Sequence, residues 1–239
     1  MEEKVSGIIL GGVNFGENDK ILNVFTLEKG LISAKIKGVK KAGAKLKFAS
    51  EPFCFAEFVL SVTNAGNTII GASLFDSFYP VREDIVKYFC GGTVLEFVKK
   101  FFRENIVSPE TFLSVISVLK NIAYADGNPK AFLLEFLKSE LSEEGYALSD
   151  SQCKKCKNQN PNRVFFDYAD GSFLCENCFD GLGREISVVT FGALRKLKEN
   201  IPLTEEECVK ALRLIDFYVE NKTDVTLKSL KELIKISPV

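Results

Sequence analysis

A chain of 239 residues that is 46% hydrophobic and 26% charged, with a formal net charge of −1, carries enough apolar material for a buried core and lacks the composition of a disordered polyelectrolyte. Its apolar runs are short and broken by charge, which argues against a membrane-spanning helix, and the opening MEEKVSGIIL has neither the basic region nor the long apolar stretch of a secretory leader. Histidine is absent, which removes histidine-based dyads, a histidine general base and every mixed Cys/His metal site.

The first 80 residues read as five short strands. VSGIIL opens, KILNVFTL follows the glycine-rich GGVNFGEND, and LISAKIKGV alternates, with Ala34 and Ile36 on one face and Lys35 and Lys37 on the other. EPFCFAEFVLSV places Cys54, Ala56, Phe58, Leu60 and Val62 on a single face, NAGN is a turn, and TIIGASLF supplies the fifth strand. Five strands with glycine-rich bends and no crossover helix predict a small barrel, an OB-fold or, on strand count, an SH3-like one. GGVNFGEN spaces its glycines like a phosphate loop, but Glu17 and Asn18 stand where lysine and serine or threonine are needed, so it is read as a turn between strands.

After Pro80 the pattern turns helical. Val86, Cys90, Val94, Phe97 or Val98, and Phe101 recur at helical spacing. Ser108–Pro109 and Asn128–Pro129 mark helix starts, Gly145 marks a stop, and Thr204 with Glu207 forms a capping-box signature. The expected organisation is a barrel domain over residues 1–80 and a helical domain over 81–239, the latter interrupted at about 151–180.

That interruption, CKKCKNQNPNRVFFDYADGSFLCENC, pairs Cys153 with Cys156 and Cys175 with Cys178, at the spacing of a four-cysteine zinc site. The strand-rich flanks of Asp170–Gly171 predict a hairpin between the pairs, hence a zinc ribbon. Four thiolates close the metal shell, so one structural Zn2+ per chain is expected rather than a catalytic one. A redox dithiol is the competing reading, but its βαβ context is missing. Cys54, Cys90 and Cys208 fall in apolar patterns and are read as small buried hydrophobes. No carboxylate pair or nucleophile has a catalytic context, so the chain is expected not to be an enzyme and to have no small-molecule substrate.

The densest charge lies at AKIKGVKKAGAKLKF, within a run of seven lysines from Lys29 to Lys47 that no acid interrupts. Such a run is either a solvated face or a polyanion contact. Its place on and just after a barrel strand favours contact with nucleic acid. Lysines are point charges suited to phosphates rather than to base edges, so binding without sequence specificity is expected.

The order of these parts resembles the bacterial RecO family of recombination mediators. The resemblance runs through Phe15-Gly16-Glu17, then Thr26, Glu28 and Gly30, then Lys37-Gly38 and Lys40-Lys41, the proline-led EPFCFAEF, and the two knuckles in ELSEEGYALSDSQCKKC and GSFLCENC. It implies an OB-fold followed by a helical domain with a four-cysteine zinc site, and no enzymatic turnover. It also implies binding to single- and double-stranded DNA, annealing of complementary strands, and work with RecR. With that partner, members help load RecA onto DNA coated by single-stranded-DNA-binding protein. On this resemblance the DNA contacts fall on Lys35, Lys37, Lys40, Lys41, Lys45 and Lys47, and the protein is cytoplasmic and nucleoid-associated, with no membrane partner. A zinc-ribbon adaptor whose main ligand is protein is the alternative function.

Overall fold

Among the first five strands, burial alternates at period two from Phe55 to Leu60, whereas Gly7–Leu10 and Val24–Thr26 are buried on both faces. In the computed structural model, which describes residues 1–237, the five strands are β1 (Glu2–Phe15), β2 (Asp19–Thr26), β3 (Gly30–Ile36), β4 (Phe55–Thr63) and β5 (Gly66–Asp76). They close in the order β1-β2-β3-β5-β4, and β4 pairs back with β1. The single parallel pairing, β3 with β5, gives the OB arrangement and sets aside the SH3-like alternative. Ala34, Ile36, Cys54, Ala56, Phe58 and Leu60 line the core as expected, with Val62 partly buried against it.

One local expectation is corrected. Gly11 and Gly12 belong to β1, not to a turn, and only residues 16–18 reverse the chain. The ladder slips between Ile9 and Gly11, and a Cβ at Gly12 would sit 2.6 Å from the Ile21 carbonyl oxygen. These glycines serve a bulge and a close strand approach, two uses that look like a turn in sequence.

The turn between β2 and β3 is held by its own residues. The Thr26 hydroxyl donates to the Gly30 carbonyl at 2.8 Å and accepts from the Lys29 amide at 3.1 Å. The Glu28 carboxylate accepts from the Ser6 amide on β1 at 2.9 Å. Gly30 has φ +67, and a Cβ there would lie 1.9 Å from the Ile106 carbonyl oxygen, so only glycine fits.

Helices α1 (Pro80–Glu83), α2 (Ile85–Phe101) and α3 (Pro109–Tyr124) follow. Secondary structure changes at residue 80, whereas the compact units divide later, into Met1–Ala125 and Asp126–Val239. The first three helices thus belong to the barrel's unit, joined through aromatic contacts such as Phe25–Phe102 and Phe55–Phe112. Ser108 precedes α3 as predicted, but its hydroxyl donates to Thr111 Oγ1 instead of capping the backbone.

The second unit holds α4 (Pro129–Glu143), β6 (Val164–Asp167), β7 (Ser172–Cys175), β8 (Arg184–Ile186), α5 (Val188–Lys198), α6 (Glu205–Thr223) and α7 (Lys228–Ile236). Asn128 caps α4 through the Lys130 amide. Gly145, at φ +83, ends the helix with the Tyr146 amide donating back to the Leu141 carbonyl. The Thr204–Glu207 capping box forms in both directions. The expected hairpin is β6–β7. A third strand, β8, extends it in the order β7-β6-β8 and was not expected from sequence. The sheet packs on α6 through Phe166, whose ring meets fully buried Tyr218 edge-on at 5.5 Å.

Candidate nucleic-acid interface and metal centre

Between β3 and β4 the chain makes successive turns and one 3₁₀ turn, Phe48–Ser50. Val39 and Ala49 are buried and Leu46 packs against the barrel core, so the loop is pinned from inside. Lys37, Lys40, Lys41, Lys45 and Lys47 are all exposed between those anchors. Among the described residues none of these five has a carboxylate at ion-pair distance. Lysine therefore occupies the outward positions of an ordered loop, which is how a charge run becomes a directed patch.

The β1–β2 turn fixes the start of this loop. Asp19 accepts from the Gly38 amide at 2.8 Å, and the Lys40 amide donates to the Asn18 carbonyl at 3.1 Å. The Gly38 amide and then Lys35, paired to Asp19 at 2.9 Å, hold the Asp19 carboxyl below its usual range. Lys35, the only one of the six predicted contacts on a strand, also lies 4.4 Å from the Phe15 ring centroid. A recess of about 510 Å³ opens here, lined by the turn residues Phe15, Gly16, Glu17, Asn18 and Asp19 on one side and by Lys37, Gly38 and Lys41 on the other. The structure thus gathers Lys35, Lys37 and Lys41 around one turn, while Lys40, Lys45 and Lys47 lie on the same loop outside the recess lining. Phe15, half exposed, and Asp19 were not singled out as site residues from sequence. The signal available was the Phe15-Gly16-Glu17 turn, noted only as a resemblance.

In the second unit the four cysteines converge, their sulfurs all within 4.8 Å of one another. A tetrahedral zinc with bonds of 2.3 Å sets sulfur–sulfur edges of about 3.8 Å, and Cys156 and Cys175 already stand at 3.6 Å. Each pair sits in a tight knuckle. The Lys157 amide donates to the Cys153 carbonyl with Lys157 at φ +62, and the Cys178 amide donates to the Cys175 carbonyl. Burial opposes the Cys153 thiolate, but the amides of Cys156, Cys175 and Lys155 bring it down to about 6. Cys178 is pushed up to about 12 by its neighbours Cys156 and Cys175. Four crowded sulfurs that resist joint ionisation are what a divalent cation would relieve. Stacked Phe165 and Phe179, 3.8 Å apart, and the Lys155–Asp180 pair at 2.9 Å brace the cluster. Cys54, Cys90 and Cys208 are buried away from it, and burial pushes the Cys54 and Cys208 thiols up to about 11.

A closed OB barrel bearing an ordered lysine loop, with a second unit that carries a four-cysteine cluster, defines a two-unit protein with a cationic surface loop and a metal-suited module. Its sequence matches the family described as Recombination protein O, the N-terminal part over residues 1–78 and the C-terminal part over residues 82–231. The chain belongs to the RecO family. Similar curated proteins are each named DNA repair protein RecO. That of Caldicellulosiruptor bescii is 30% identical, covering 77% of this chain and 75% of its own. That of Acetivibrio thermocellus is 29% identical over 74% of this chain and 70% of its own, and that of Bacillus subtilis 26% identical over 98% and 94%. Among the described residues no helix is long and apolar enough to cross a membrane.

Proposed function

We propose that this protein is a DNA-binding recombination mediator acting without chemical turnover. It holds single- and double-stranded DNA through phosphate contacts from Lys37, Lys40, Lys41, Lys45 and Lys47, with Lys35 at the edge of the site. It anneals complementary strands and, with RecR, helps place RecA on strands coated by single-stranded-DNA-binding protein in the bacterial cytoplasm at the nucleoid. The observation that carries this reading is the recess where Phe15 stands beside Lys37 and Lys41 on a backbone pinned by Asn18 and Asp19. An aromatic face next to mobile cations suits a base and its phosphate without regard to sequence. The four cysteines hold one zinc ion per chain, which stabilises the second unit and does no chemistry.

The test is single-strand binding by Lys37→Glu/Lys41→Glu across a salt series. Wild type should show a log–log slope near −0.7 for each phosphate engaged, and the double variant should lose roughly 1.4 from that slope together with most strand annealing. Unchanged binding and annealing would remove the loop from the site. Partner binding that persists while wild type takes up no DNA at ~50 mM salt would favour the zinc-ribbon adaptor instead.

A further inference from the structure

The second unit contains a cavity that neither the lysine loop nor the cysteine cluster accounts for. It measures about 230 Å³ and is built by β8, α5 and α6. Along α6, Lys210, Arg213, Leu214 and Phe217 fall on one face at helical spacing, with Arg184 entering from β8 and Thr190 from α5. Arg184 lies 5.0 Å from the Phe217 ring centroid, and Tyr168 abuts that ring edge-on at 5.8 Å. Lys210 is paired with Glu206, and Glu185 on the rim is paired with Arg163. Arg184 and Arg213 are exposed, and among the described residues neither has a carboxylate at ion-pair distance.

The chain has only six arginines against 25 lysines, so two guanidiniums on separate elements that face one cavity without a carboxylate partner call for an explanation. Solubility does not require it, since lysine serves solvated faces throughout this chain. A guanidinium presents a planar fork of donors that grips phosphate oxygens two at a time. Two forks from different elements fit a ligand bearing successive anions, and Phe217 and Leu214 supply an apolar wall beside them. A nucleic-acid strand has this form, with a phosphate at each step and a flat apolar base between.

We infer that this cavity is a second strand-binding site, gripping the phosphodiester backbone through Arg184 and Arg213 while the barrel's lysine loop holds another strand. The inference rests on the proposed DNA-binding function and adds to it a reason why one chain could anneal: each compact unit carries its own strand contact.

The experiment uses full-length protein and a short fluorescein-labelled oligothymidylate as probe. Wild type should bind two oligonucleotides per chain. Arg184→Glu/Arg213→Glu should bind one, keep the lysine-loop salt dependence, and anneal complementary strands at least tenfold more slowly. Lys37→Glu/Lys41→Glu should also bind one, with the residual site abolished on adding the arginine changes. Two oligonucleotides still bound by Lys37→Glu/Lys41→Glu, with one lost in Arg184→Glu/Arg213→Glu, would sink the loop reading and leave this one standing. Arg184→Gln/Arg213→Gln, which removes charge without reversing it, serves as the second variant should the glutamates lower the melting temperature. Two sites and undiminished annealing in the glutamine variant would overturn the proposal. So would unchanged DNA binding accompanied by lost affinity for an acidic peptide.

Discussion

Asp19 is the residue on which the lysine loop turns. One oxygen holds the Gly38 amide and the other pairs with Lys35, so the same carboxylate orders the loop and weakens its field. The two roles can be separated. Asp19→Asn keeps an acceptor for Gly38 while removing the negative charge, and should tighten single-strand binding at low salt by up to about fivefold, the scale of one unit-charge interaction near 4 Å in water. Asp19→Ala removes the same charge but frees the loop, so its affinity should fall below that of Asp19→Asn. A fluorescence titration ranks the three proteins. Equal affinity for the alanine and asparagine variants would mean that loop order contributes nothing to binding.

At the level of elements, what could be read from sequence was whatever local chemistry determines. The Thr204–Glu207 box, the Asn128 cap, the Gly145 stop and the period-two faces of β3 and β4 depend on residues a few positions apart, and they form as expected. The cysteine cluster was legible because metal-ligand spacing is itself local within each knuckle. Strand β8 was not, since its three residues REI carry little pattern and it exists by pairing with β6 some 20 residues earlier. Phe15 was similarly hidden: whether an aromatic at a strand end packs or stands beside a lysine 20 or more positions on is decided by barrel closure. The starts of α4 and α6 are tied by a comparable long-range contact, in which buried Lys130 meets Glu205 at 2.5 Å and Asn128 donates to the same carboxylate. Burial works against the Glu205 carboxylate, but Lys130 and Asn128 bring its pKa below the ordinary 4.5. A depressed acid contributes stability that is complete above its unfolded value and is lost as pH falls through the folded value. Glu205→Gln should therefore cost the second unit about 1–2 kcal/mol at pH 7, between the exposed and buried cases. The difference from wild type should close below about pH 4.5 in thermal melts taken across pH. A gap that stays constant down to pH 3 would rule out the ionised pair as its source.

For the molecule as a whole, a net charge of −1 means that no global field draws DNA in, so binding depends on where cations are placed and on what keeps them there. The placement is divided between two compact units, and on the proposed function DNA stabilises the first and a metal ion the second. A ligand that binds only the folded form of a unit raises that unit's stability by mass action, by about 2.7 kcal/mol at a hundredfold excess over Kd. Metal ligation is folding free energy for the segment that supplies the thiolates. Chelation, or Cys175→Ser, should therefore lower the melting transition of Asp126–Val239 and leave that of Met1–Ala125 in place. Oligonucleotide should raise the transition of the barrel unit, and it should raise the second as well if Arg184 and Arg213 hold a strand. Differential scanning calorimetry with hydrogen exchange assigns each transition to its unit. A single transition that moves as one under both ligands would mean that the units fold as one cooperative body. In that case the zinc cluster would govern strand binding through the stability of the whole chain rather than of its own half.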